Sequence, residues 1–114
     1  MVSTARKERG PTVQSLSPTE VHATDDAYII DVREPEELAQ ARVDGAHHIP
    51  LGELVARLDE VPRDRTVYVM CHVGGRSAQA VVYLEQQGVD AVNIDGGILQ
   101  WYRSGLPVET GGAE

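Results

Sequence analysis

The sequence predicts an α/β fold built on a parallel sheet. Two observations carry this. Apolar, β-branched runs alternate along the chain with segments of helical periodicity. The central runs, "AYIIDV" (27–32) and "TVYVMC" (66–71), are apolar on both faces, as strands covered by helices on each side must be. A third observation limits the size: 114 residues suit one domain and leave no room for two cores.

Each element has a local reason. Residues 1–11 are charged and lack an apolar period, so they are expected to form a flexible tail. "TVQSL" (12–16) alternates and suits a short strand. In "SPTEVHA" (17–23), Ser17 can cap a helix, Pro18 fits its first turn and Glu20 completes a capping box. Strand 27–32 is followed by "EPEELAQAR" (34–42), a short acidic helix with Pro35 in its first turn. A strand is expected near 46–49, before Pro50. "LGELVARL" (51–58) places Leu51, Leu54, Val55 and Leu58 at helical spacing, which predicts an amphipathic helix. After the turn "PRDR" comes strand 66–71, then a helix over 77–88 ended by Gly88. "DAVNI" (90–94) is a last short strand, and 96–105 a last helix ended by Gly105. The domain is expected to span 12–109, with 110–114 a C-terminal tail.

Composition excludes several functions. The net charge of −8 opposes nonspecific binding to nucleic acid, which needs phosphate-neutralising Lys and Arg. It also opposes anionic membrane surfaces, and no apolar run approaches the ~20 residues of a membrane span. The polar N-terminal run lacks the apolar core of a signal peptide, so a cytoplasmic location is expected. Phe is absent, so Val, Ile, Leu and Ala must build the core.

The chemistry centres on the only cysteine, Cys71, in "CHVGGRS". A lone cysteine excludes an internal disulfide, a Cys-rich zinc cluster and a resolving thiol in the same chain. Whatever Cys71 acquires must leave to another molecule. It stands at the carboxyl end of a strand, where ligands of such sheets bind. A thiol attacks only as thiolate, and a helix N-terminus or a nearby Arg lowers its pKa from ~8.5. Both aids are expected. Gly74 and Gly75 let the loop curl so that N–H groups point inward, and the following helix begins near Arg76 or Ser77. Arg76 adds a positive charge where the macrodipole disfavours one, which indicates an anionic partner.

"CHVGGRS" resembles the C-x-x-G-x-R active-site loop of the rhodanese-like sulfurtransferases. "IIDVREPEEL" (29–38) is similar to that family's D-x-R-x-P-x-E segment. "DGAHHIP" (44–50) is similar to its G-A-x-x-I-P segment, and "NIDGGILQWYRSGLPV" (93–108) to its closing G-G-x-x-x-W helix. One departure is local: Ala41-Arg42-Val43 stands where the family often has Gly-His-Ile. The resemblance covers residues 12 to about 109, with four segments in order. It implies a rhodanese-like fold, a five-stranded parallel sheet with helices on both faces. It implies a sulfurtransferase in which Cys71 takes the outer sulfur of a donor such as thiosulfate as a persulfide. A thiophilic acceptor (cyanide, a thiol or thioredoxin) then removes it, and a protein persulfide is a further donor. The N–H groups of His72, Val73, Gly74, Gly75, Arg76 and Ser77 would hold the anionic sulfur. No metal or organic cofactor is implied.

Other notable residues have plainer readings. Asp31 and Arg33 are read as an ion-pair scaffold supporting the neighbouring loops. The Ser77 side chain is read as a helix cap. Glu34, Glu36 and Glu37 are read as a solvated helix face, and Trp101 and Tyr102 as packing residues. His47 and His48 point opposite ways on a strand. With His72 they form no ligand set at metal spacing, although His72 can line a pocket mouth. Two rival functions remain. Cysteine phosphatases and arsenate reductases use C-x5-R, whereas Cys71 to Arg76 is C-x4-R, too tight a loop for a tetrahedral oxyanion. Rhodanese-like domains also serve as noncatalytic binding modules, which often lack the cysteine.

Overall fold

The computed structural model describes residues 13–111; the expected tail at 1–11 lies outside them. The elements in order are β1 (Ser15–Leu16), α1 (Pro18–His22), β2 (Tyr28–Asp31), α2 (Pro35–Gln40), β3 (Ala41–Arg42) and β4 (His47–His48). There follow 3-10 turns at Leu51–Glu53 and Leu58–Glu60, then β5 (Val67–Met70), α3 (Gly75–Gln86), β6 (Ala91–Ile94), α4 (Gly97–Arg103) and β7 (Glu109–Thr110).

Five strands form one sheet in the order β1-β6-β5-β2-β4, every pair parallel. The register sets Asp31 of β2 opposite Met70 of β5, so both strands end at one level. Side chains alternate between two cores, as strand geometry requires. Ile30, Val32, Val67, Val69 and Cys71 pack with Ala80, Val81 and Leu84 of α3. On the other face Ile29, Met70 and Ile94 pack with Val21 of α1 and with Ile98 and Trp101 of α4. The sheet is thus covered on both sides, and its apolar runs are explained. Ser17 and Glu20 exchange the two bonds of a capping box at α1, at 3.1 and 2.9 Å.

Three expectations are corrected. Residues 51–58 form no α-helix. Gly52 and β-branched Val55 weaken a helix there, and the segment lies between Pro50 and Pro62 with only Leu54 fully buried. Val55, placed on the apolar stripe, is 69% exposed. Arg57 instead braces the turns by ion pairs to Glu53 and Glu60. The helix expected over 34–42 ends at Gln40, because Ala41 and Arg42 pair antiparallel with Thr110 and Glu109. No local pattern announces a partner so distant, and Thr110 had been expected beyond the domain's end. Finally, α3 begins at Gly75, two residues earlier than expected.

Candidate active site

β5 delivers Cys71 to the sheet's carboxyl edge, and four residues later the chain enters α3. The turn depends on Gly74, which caps α3 at φ 115°. That left-handed backbone is strained for any side chain. It aims the Gly74 N–H at Cys71 Sγ, 3.1 Å away. The Ser77 hydroxyl stands 3.4 Å from the same sulfur. Cys71 is only 1% exposed, so its sulfur lies beneath the loop rather than at the surface.

Burial pushes the Cys71 thiol pKa up, and it is the largest single influence. The donors together outweigh it. The Ser77 hydroxyl and the N–H groups of Ser77, Gly74 and Arg76 hold the thiol below its ordinary range. A buried anion is tolerable only with such charge-assisted bonds. Of the predicted loop amides, that of Gly74 makes a hydrogen bond to the sulfur, and those of Arg76 and Ser77 help to lower the thiol's pKa.

Arg76 was expected to lend its charge to the sulfur. Its guanidinium instead forks onto Glu37 of α2, both N–O distances being 2.8 Å. Glu37 is accordingly an ion-paired, partly exposed residue rather than one solvated on its own. The Arg76 bond, against a smaller opposing effect of burial, draws its carboxyl down to about 2. The same carboxylate accepts the Glu34 N–H at 2.8 Å. The Arg76 pKa is pushed up by this bond, and the charge on Cys71 contributes less. Ser77 is not the helix cap either. It lies fully buried inside the first turn, and its Oγ is 2.5 Å from Asn93 Oδ1 on β6.

Asp31 and Arg33 form a buried ion pair at 2.8 Å. Arg33 also donates to the Ala41 carbonyl at 2.8 Å, tying the end of β2 to the end of α2. His48 Nε2 contacts the Arg33 carbonyl oxygen at 2.7 Å, while His47 stacks on Tyr28. Among the described residues, no group of three or more His, Cys, Asp or Glu could hold a metal ion.

The start of α4 closes the loop from the other side. The N–H groups of Ile98 and Leu99 donate to the carbonyls of Cys71 and His72, at 2.8 and 3.1 Å. Gly97 packs so tightly there that a Cβ would overlap both carbonyl oxygens. Trp101 is buried, as expected of a packing residue, whereas Tyr102 is 63% exposed. A cavity of 380 Å³ beside the loop is lined by His72, Glu37, Arg33, Leu99 and Tyr102, among others.

Sequence reasoning missed Glu37 and Asn93. The signal for Asn93 was available: one amide in an otherwise apolar buried strand needs a partner. For Glu37 the segment resemblance gave the position, but nothing local distinguished it from Glu34 and Glu36.

Comparison with known proteins agrees with this geometry. The rhodanese-like domain model matches residues 17–104. A sulfurtransferase of Allochromatium vinosum is 43% identical over 86 residues, 75% of this chain and 80% of the relative. The thiosulfate sulfurtransferase GlpE of Vibrio cholerae is 34% identical over 84 residues, 73% and 79% of the two chains. The crystal structure of a rhodanese-related protein from Thermoplasma volcanium superposes with a TM-score of 0.80 at 36% identity, covering 84% of this chain and 97% of that one. The cysteine loop, the sheet order and the matched span lead to one conclusion: this chain belongs to the rhodanese-like domain family.

Proposed function

We propose that the protein is a sulfurtransferase that carries sulfane sulfur on Cys71. The supporting observation is the approach of the Gly74 N–H and the Ser77 hydroxyl to one buried sulfur, whose thiol pKa is lowered. The sulfurtransferase names of the relatives point the same way. The Cys71 thiolate attacks the outer sulfur of thiosulfate. A new S–S bond forms, and sulfite leaves with the electron pair of the old one. A persulfide donor reacts likewise and releases a thiolate. An acceptor thiolate or cyanide then attacks the outer sulfur, and Cys71 departs as thiolate. Thioredoxin would serve as a dithiol acceptor. In the persulfide state, the N–H groups of the loop from His72 to Ser77 would hold the anionic outer sulfur. Arg76 acts twice: its backbone N–H helps to lower the thiol's pKa, and its guanidinium anchors the loop to Glu37.

No helix among the described residues is long and apolar enough to cross a membrane. A reducing cytoplasm, which keeps a lone thiol free, suits this chemistry. The C-x4-R loop disfavours a phosphatase, and the retained, activated cysteine disfavours a purely binding role. Intact mass spectrometry after thiosulfate or an alkyl persulfide should show one added sulfur that a reductant removes. Cys71→Ser should acquire none. A wild-type chain that gains no sulfur from either donor would sink the proposal.

A further inference from the structure

Asn93 lies in β6 with 6% exposure, flanked by buried Val92 and Ile94. A buried amide there is costly unless it is bonded. Its partner is Ser77 Oγ, at 2.5 Å. That same oxygen stands 3.4 Å from Cys71 Sγ and 3.2 Å from the Gly74 carbonyl. A hydroxyl carries one proton, so three acceptors compete for it.

The competition depends on the state of the sulfur. Beside a neutral thiol, Asn93 Oδ1 takes the proton. An anionic sulfur is the stronger acceptor and turns the hydroxyl towards itself. Ser77 Oγ then faces Asn93 with lone pairs only. A carboxamide resolves this by a half-turn that brings Nδ2–H where Oδ1 stood, so that the hydroxyl oxygen receives a donor. An aliphatic side chain cannot, and neither can a carboxylate.

We propose that Asn93 is a positioning residue for Cys71, whose reversible amide lets the Ser77 hydroxyl follow the charge on the sulfur. Its purpose rests on the sulfurtransferase reading, but its test reads the thiol alone. Iodoacetamide alkylation of Cys71 is followed against pH in the full chain, for wild type, Asn93→Leu, Ser77→Ala and the double variant. A chain of bonds polarises its members. Asn93→Leu should therefore raise the alkylation midpoint by about 0.5 to 1 unit, roughly a three- to tenfold loss of thiolate at lower pH. Ser77→Ala should raise it at least as much, and the double variant should match Ser77→Ala. Asn93→Val, smaller and well suited to a strand, repeats the comparison if leucine is not accommodated. An unchanged midpoint in the Asn93 variants, or additive shifts in the double variant, overturns the proposal. Absence of sulfur loading on wild-type Cys71 is a separate result that strikes the sulfurtransferase reading and leaves the alkylation profiles as they are.

Discussion

The guanidinium of Arg76 and the carboxylate of Glu37 meet through two parallel 2.8 Å bonds, so the loop arginine is tied to α2 rather than aimed at the sulfur. What Cys71 receives from Arg76 is chiefly its backbone N–H. Alanine keeps that N–H. Arg76→Ala should therefore shift the thiol's alkylation midpoint less than Ser77→Ala does. Glu37→Gln should lower the midpoint, because it leaves the Arg76 charge uncompensated near the sulfur. If Arg76→Ala raised the midpoint as far as Ser77→Ala, the guanidinium would be the main influence and this account would be wrong.

The same pair makes stability depend on acid. The Glu37 carboxyl falls from 4.5 to about 2 on folding. Its contribution is therefore present above pH 4.5 and is lost as pH drops towards 2. The shift would correspond to about 3 kcal/mol in isolation, but both partners are roughly one-third exposed, and solvent screening reduces this to about 1 kcal/mol. Urea midpoints of wild type and Glu37→Gln should differ at pH 6, draw together below pH 4.5 and converge only at about pH 2. A constant difference across that range would remove Glu37 as the source.

Much of the fold was legible because its signals are local. The two-faced apolar runs identified β2 and β5, and Ser17 with Glu20 identified α1 through bonds three residues apart. The loop was legible because Gly74 and Cys71 act within three residues of each other. What escaped depends on distant partners. Glu37 meets Arg76 across 39 residues, and Ser77 meets Asn93 across 16. β3 forms only because Glu109 and Thr110 return to it. The stripe at 51–58 misled for a different reason. Two turns that bury Leu54 satisfy the core without a helix, so periodicity alone placed Val55 on the wrong side.

Glycines 52 and 97 should respond oppositely to alanine. At Gly97, φ is 62° and a Cβ would strike the Cys71 and His72 carbonyls. These carbonyls are held by α4, so neither can withdraw without losing a bond. Gly97→Ala should cost about 3 kcal/mol or more, and should displace the loop enough to reduce Cys71 reactivity. Gly52 has ordinary φ and open space around it. Gly52→Ala should be neutral or stabilise by about 0.5 kcal/mol through the unfolded chain. Thermal unfolding of the two variants checks both signs, and a tolerated Gly97→Ala would show that the α4 contact is loose.

The buried Asp31–Arg33 pair should show its worth only when it is broken unevenly. Arg33→Leu leaves the Asp31 carboxylate at 1% exposure without its cation, and frees the Ala41 carbonyl as well. Removing one partner of such a pair typically costs about 3–5 kcal/mol. Asp31→Leu should cost a similar amount, because it strands the guanidinium. Replacing both leaves no buried charge, so the double variant should lose less than the two single losses combined. The Ala41 bond is lost whenever Arg33 is replaced, so part of the cost should persist and β3 should pair less firmly with β7. Denaturant unfolding of the three variants measures the coupling. Additive losses would mean that Arg33 matters through its contact with Ala41 rather than through its charge.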